Sequence, residues 1–309
     1  MADPTLAPAA LPCQIGDLLQ PGSVKGHFCE QVREVDAVPT PFESLNRECR
    51  DEGGGVGLAR GWYDTFGANT GTGKSLLALN FAARAIEHGE QVAFLSIEMS
   101  RTQVATRLYA IITGTDVREL ERGGSFSPDA AKQAAFRIAE LRERTGASFY
   151  MNLRPIFRLD AVQGLMTYFH QSKGCRFFIV DYLQLLGTRD ADTLYAQVSN
   201  VSARVREFAN QLNVIAIGIS QFNRQTSSNY ADRPQIQGLM GGSSLENDSD
   251  QVVLLDHTRV QHNKESRTTR TWMLLEKNRH GGRGNIPIEW DYRTLRVREA
   301  KPDEEGEWP

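Results

Sequence analysis

Cysteine is scarce in this 309-residue chain, and the four present, Cys13, Cys29, Cys49 and Cys175, stand far apart with no C-x-x-C pair. That spacing suggests neither a zinc cluster nor a disulfide framework, so free thiols in a reducing cytoplasm are expected. Long apolar runs are missing too. No stretch of eighteen exists to span a bilayer, and the opening MADPTLAPAALP lacks the basic start and apolar middle of a secretion signal. A soluble, cytoplasmic protein with no membrane contact is the expectation. Net charge is also slight: a formal −3 argues against a uniformly basic nucleic-acid coat while leaving room for a local basic stripe.

What the chain does have is GANTGTGKS, Gly67 to Ser75, set between the apolar run Trp62 to Phe66 and the helix-patterned run Leu76 to Ala85. Strand, glycine loop and helix start follow in the order a phosphate cradle requires. Gly71 and Gly73 let backbone N–H groups turn inward. The helix starting near Lys74 aims its positive end at the anion, and the Lys74 ammonium reaches the outer phosphates. With Asn69, Thr70 and Thr72 completing the loop, Asn69 to Ser75 are the expected nucleotide-binding residues, and the Ser75 hydroxyl is offered to magnesium. The pattern opens on Ala68 instead of glycine. A chance glycine-rich turn is the alternative, and the flanking strand and helix weigh against it.

Residues 1–38 are rich in Pro and Ala, then weakly periodic, with a short helical piece at Ile15 to Leu19. They read as an arm, either partly disordered or docked on a neighbouring subunit. Residues 39–298 carry the pattern of one α/β domain: a mostly parallel sheet flanked by helices, with a β-rich C-terminal end. The run Val92 to Ile97 predicts a buried parallel strand that delivers Glu98 to its carboxyl end, where open α/β sheets bind ligands. A carboxylate beside a nucleotide is suited to polarise an attacking water; the bland reading is an acid opening the helix after Ser100. Periodicity predicts helices over 100–113, 127–144, 159–171 and 193–212 and a strand over 147–151. In RFFIVD, four apolar residues end on Asp181, a strand-tip carboxylate placed to hold magnesium. A strand followed by Asp is common, and its place downstream of a phosphate loop gives it weight. A further strand over 214–220 presents Gln221, an amide able to hydrogen-bond a terminal phosphate and register its loss, or else a simple strand-end polar residue.

From 223 to 244 the chain is polar with no sustained periodicity, a loop long enough to be functional or disordered. Strands are predicted over 251–256, 269–276, 286–290 and 295–298. Residues 259–298 hold ten Lys or Arg against four acids, an excess of six. A charged, solvated sheet edge accounts for most of them. Lys277 and Arg279 are set apart, since residues two apart on a strand share a face and can offer both cations to one phosphate chain. Residues 299–309 reverse the sign and read as an acidic, solvating tail or a docking peptide.

Taken together, GANTGTGKS, FLSIEMS, IVDYLQLL, GISQFNR, SSLENDSDQVVLLD and EKNRHG resemble the motor domain of the DnaB-type replicative helicases, within the RecA-like P-loop ATPases. The resemblance implies ATP and Mg2+ as cofactors and single-stranded DNA as partner. It also implies a homo-oligomer, a hexamer by family habit, translocating 5′ to 3′, with a loader or replication protein as a further partner. By resemblance Lys74 and Ser75 bind phosphates and magnesium, Glu98 activates water, Asp181 holds the metal and Gln221 senses the terminal phosphate. Lys277 and Arg279 correspond to a basic pair that reaches into the next subunit's nucleotide. The DNA-facing candidates are Arg224, Gly241, Gly242, Ser243 and Ser244, contacting phosphates in part through main-chain amides. This chain departs from the family where Met240 and Gly241 stand in place of a frequent acidic and basic pair. It also departs in having only the arm where bacterial relatives carry an N-terminal helical domain. Two other readings remain: a recombinase- or clock-like ATPase, KaiC-like, that does not unwind DNA, and an ATP-gated scaffold or adaptor that recruits partners.

Overall fold

The apolar runs become the middle of a ten-stranded sheet in the computed structural model, which describes residues 37–49, 56–96, 98–121, 128–152, 158–186, 193–223, 233–256 and 258–301. At the start, β1 (Ala37–Val38) pairs antiparallel with β2 (Leu58–Ala59), and α1 (Glu43–Glu48) lies between them in sequence. Next come β3 (Tyr63–Ala68), α2 (Lys74–Glu87), β4 (Val92–Ser96), α3 (Arg101–Thr113), α4 (Val117–Glu121), α5 (Pro128–Thr145) and β5 (Phe149–Met151). The chain continues through α6 (Leu159–Lys173), β6 (Phe177–Asp181), α7 (Leu194–Gln211), β7 (Ile215–Gln221) and α8 (Gly242–Asp248). It closes with β8 (Gln251–Leu255), β9 (Gln261–Asn263), β10 (Thr268–Asn278), β11 (Gly284–Asp291) and β12 (Arg296–Glu299).

Across the sheet the order is β12-β11-β10-β8-β3-β7-β6-β4-β5, with β9 beside β10. The strands from β8 to β5 are parallel, and β9 to β12 are antiparallel. The parallel strands are continuous apolar runs because both of their faces are covered. Phe177, Ile179, Ile215, Ile217, Val92 and Phe94 face a core closed by α1, α2 and α3. Phe178, Val180, Ala93 and Leu95 face the opposite core, closed by Val162 and Met166 of α6 and Val198, Val201 and Val205 of α7. Fully burying each large side chain is worth about 1.5–3 kcal/mol. The β-rich end is fastened to the rest by α2, where the Asn80 amide donates to Leu295 O at 3.0 Å and accepts from Val297 N–H at 3.0 Å. No described helix is long and apolar enough to cross a membrane.

Four expectations differ in detail. The segment read as an aperiodic loop holds a 3-10 turn at Ile236–Gly238 and, at its end, the first three residues of α8. GSSLEND carries one buried apolar side chain, Leu245, beside Gly242, too few for a periodic signal. Ala37 and Val38 are not arm but sheet. Glu299, assigned to the tail, ends β12 and accepts from Ser44 N–H at 2.5 Å. Arg279 lies one residue past the end of β10, although its amide continues the ladder by donating to Asp250 O at 3.0 Å. The rest of the arm, the remainder of the tail and Arg224 lie outside the described residues.

Candidate phosphate-binding site

Strand β3 ends at Ala68, and the chain turns through Asn69 to Gly73 before α2 begins at Lys74. The turn is locked by Thr72, whose hydroxyl donates to Asn69 O at 2.7 Å. Gly73 has φ +98°, and a Cβ there would lie 3.4 Å from Trp290 Cη2 of β11. The positive φ is what favours glycine here, since the Trp290 contact alone would be an ordinary van der Waals one. The first amides of α2, which have no intrahelical acceptors, are thereby left at the mouth of the loop.

Three neighbouring strands deliver the remaining groups to the same carboxyl edge. β6 delivers Asp181, 1% exposed, paired in register with Ser96 of β4; Glu98 follows two residues later and is exposed. β7 delivers Gln221, whose Nε2 donates to Thr70 Oγ1 of the phosphate loop. Burial lowers the pKa of Lys74, while the negative charges of Asp181 and Glu98 oppose that shift. Burial pushes the Asp181 carboxyl up to about 6, against the Ser75 hydroxyl and the Lys74 ammonium, which hold it down. Yet neither Asp181 oxygen completes a hydrogen bond within the chain. A buried carboxylate left unpaired is costly, and a divalent cation shared with the adjacent Ser75 hydroxyl would supply the missing partner. The donor set thus fits magnesium: one hydroxyl, one carboxylate, the rest left to phosphate and water.

Lys74, Ser75, Glu98, Asp181 and Gln221 therefore come together as the sequence predicts. Lys277 and Arg279 do not join them. They lie back along the strands toward the opposite edge: Lys277 is in register with Val252, which pairs with Thr65 of β3, and the Arg279 amide donates to Asp250 O, beside Tyr63. Three residue steps from Thr65 to Ala68 set the Lys277 backbone about 10 Å back along the strands, and five from Tyr63 set that of Arg279 about 17 Å back. Lys277 Nζ donates to Glu246 O and to Ser249 O at 2.7 Å, and Arg279 Nη2 donates to Asn247 O. Arg279 Nη1 also lies 3.6 Å from Asp250 Oδ1. Other cations of the basic stretch have local partners: Arg270 and Arg298 flank Glu289, Arg293 pairs with Asp291, and Arg296 Nε donates to Ile111 O.

Among the DNA-facing candidates, Gly241 and Gly242 are buried, and the Gly242 amide already donates to Leu239 O at 2.9 Å. That amide is thus engaged within the fold. Ser243 is exposed and Ser244 half-buried. At the second and third positions of α8, their amides have no intrahelical acceptor.

The sequence reading passed over three residues. Gln184 Nε2 donates to Ser220 Oγ at 2.7 Å and Gln221 O at 3.3 Å, tying the exits of β6 and β7 together. Arg107 of α3 bears on the Asp181 charge and lies 3.6 Å from Met99 Sδ. Arg206 of α7 donates to Asp248 O. Gln184 lies inside IVDYLQLL and could have been read from that motif; the two arginines carry no local signal.

A family model for the DnaB-like helicase C terminal domain matches residues 38–299. A probable plasmid replicative DNA helicase of Chlamydia trachomatis serovar L2 is 26% identical over 281 residues, covering 90% of this chain and 58% of that protein. The replicative DNA helicase DnaB of Leifsonia xyli is 27% identical over 270 residues, covering 87% of this chain and 57% of that protein. The chain therefore spans under three-fifths of the length of these curated relatives. Among solved structures, an ATPase domain is similar at 20% identity with TM-score 0.73, covering 90% of this chain and 96% of that one. A KaiC-like protein from Pyrococcus horikoshii is similar at 15% identity with TM-score 0.56, covering 86% and 100%. These likenesses show the fold, a RecA-like core of mostly parallel strands with an antiparallel C-terminal end.

Proposed function

Since this chain belongs to the family of DnaB-like helicase C-terminal domains, we propose that it is the motor of an ATP-driven, ring-forming helicase on single-stranded DNA. ATP would lie on the Asn69 to Ser75 loop, its outer phosphates held by Lys74 and the first amides of α2. Ser75 and Asp181 would hold magnesium, which when bound neutralises phosphate charge. Glu98, exposed at the same edge, orients a water and takes up its proton. Gln221, bonded to Thr70, changes partner when the terminal phosphate leaves.

The observation that carries this reading is the separation of the two cations from the rest. A phosphate site at one sheet edge and Lys277 with Arg279 at the other make a set that a single chain does not close on itself. Two copies in head-to-tail contact would close it, the basic pair of one meeting the phosphates of the next. A hexamer moving 5′ to 3′, with Ser243 and Ser244 toward the DNA backbone, is the family arrangement that we extend to this chain. The residues that carry it are taken to be 39–298, and a loader or other replication protein is the partner we expect to place the ring on DNA.

Subunit mixing tests this directly. Lys74→Ala removes the receiving site, and Lys277→Ala with Arg279→Ala removes the giving one. Each should be inactive alone, and an equimolar mixture should regain turnover at roughly a quarter of its seams, the random share with both halves intact. Glu98→Gln should keep ATP binding and lose hydrolysis. Mixtures that stay silent while wild type hydrolyses ATP, or a Glu98→Gln variant with full turnover, would contradict the proposal.

A further inference from the structure

Four consecutive carbonyls at the C-terminal end of α8 are held by cations from elsewhere in the fold. Lys277 takes those of Glu246 and Ser249, Arg279 that of Asn247, and Arg206 of α7 that of Asp248. A helix leaves its last carbonyls without intrahelical acceptance, and their partial negative charge draws cations. Two of the three cations are the pair read above as serving a neighbouring copy. The third, Arg206, has no part in that reading.

We propose that Arg206 is a positioning residue for Lys277 and Arg279: by holding the end of α8 it fixes the seat on which the pair rests, and keeps that seat in place when the pair is drawn to a phosphate. This rests on the trans-acting role given to Lys277 and Arg279.

The donors on the pair are already largely committed. An ammonium has three N–H donors, and two of those on Lys277 are engaged by carbonyls. To grip more than one phosphate oxygen it must release at least one carbonyl. Arg279 is likewise shared, between Asn247 O and the Asp250 carboxylate. As the pair turns outward, the α8 terminus loses its caps one by one, and the Arg206 contact is the one that remains.

Helix α7 runs along α8 and holds both ends. At the N-terminal end, Ser199 Oγ lies 2.6 Å from Ser244 Oγ, and a Cβ on Gly241 would come within 2.7 Å of Val198 Cγ1. At the C-terminal end, Arg206 takes Asp248 O. The segment entering α8 is tied to the phosphate sensor, since the Met240 amide donates to Gln221 O at 3.1 Å. On its way out, Ser249 Oγ lies 2.7 Å from Thr65 Oγ1 of β3. Short contacts thus run from Gln221 at one sheet edge to the cation seat at the other, and Arg206 fastens the far end.

The test uses Arg206→Gln and Arg206→Lys in the full chain, with two readouts. In the unassembled wild-type chain, the amides of residues 245–249 should be protected from hydrogen exchange. Arg206→Gln should speed their exchange about tenfold and Arg206→Lys should restore most of the protection. In steady-state turnover with single-stranded DNA, Arg206→Gln should lower kcat roughly tenfold with KM for ATP and assembly unchanged, and Arg206→Lys should recover it. A wild-type kcat in Arg206→Gln, or a lowered kcat that Arg206→Lys does not recover, overturns the proposal. If wild type itself fails to hydrolyse ATP, the functional reading is what fails, and unchanged exchange in Arg206→Gln then refutes the seat separately.

Discussion

Replacing Asp64 with valine should stabilise the protein, and by more as the pH rises. Asp64 lies in β3, fully buried, and neither of its carboxyl oxygens completes a hydrogen bond. Burial, and then the nearby charge of Asp250, raise its pKa well above the ordinary carboxylate value, with the Gln251 backbone opposing them only weakly. One unsatisfied buried polar group costs about 1–3 kcal/mol. Valine is close in size and prefers a strand. For a chain of 309 residues 1 kcal/mol moves Tm by about 1.5 °C, so the gain should fall at about 1.5–5 °C. The sign of the pH dependence follows from linkage. Below the unfolded pKa, near 3.9, both states hold the proton and Asp64 contributes no pH-dependent cost. Above it the unfolded chain releases its proton while the native one keeps it, so the native state loses ground steadily until the raised folded pKa is passed. Asp64→Asn removes that slope and keeps the orphaned polar atoms; Asp64→Val removes both. Calorimetric melts of the three proteins between pH 4.5 and 8 decide the matter. A valine advantage that shrinks with pH, or an asparagine variant with the wild-type slope, would refute the reasoning.

Gly73→Ala places a Cβ at φ +98° and 3.4 Å from the Trp290 ring; nucleotide affinity, followed by equilibrium titration, should fall at least about tenfold with the fold intact. Asn80→Ala removes the bonds to Leu76 O, Leu295 O and Val297 N–H, and chemical denaturation should show a loss of roughly 2 kcal/mol or more. Burial raises the thiol pKa of both Cys49 and Cys175 to about 12. Iodoacetamide at pH 8 should therefore leave both unmodified in the native protein and label them after denaturation, as read by peptide mass.

Much of the phosphate-loop edge was legible because its signals are local. A glycine loop between a strand and a helix, or an apolar run ending on Asp181, is contained in ten residues, and strands covered on both faces announce themselves by unbroken apolar character. What stayed hidden depends on partners distant in sequence. α8 has little periodicity of its own and is held by Arg206, Lys277 and Arg279. Glu299 looked like the start of a tail because its partner, Ser44, is 255 residues away. The pairing of Lys277 with Arg279 was anticipated from their two-residue spacing, whereas the α8 carbonyls on which both rest carry no signal near them in the sequence.

Each edge of the sheet carries an indole. Trp290 lies against the phosphate-loop glycine, and Trp62 stacks on His280, ring centroids 4.0 Å apart, one residue from Arg279. Indole emission responds to local polarity and to a neighbouring imidazolium, so the molecule carries two built-in optical gauges. With Trp272, Trp308 and one of these two changed to phenylalanine, the remaining indole would report a single edge without any attached dye, and stopped-flow traces could time filling of the loop against movement of the basic pair.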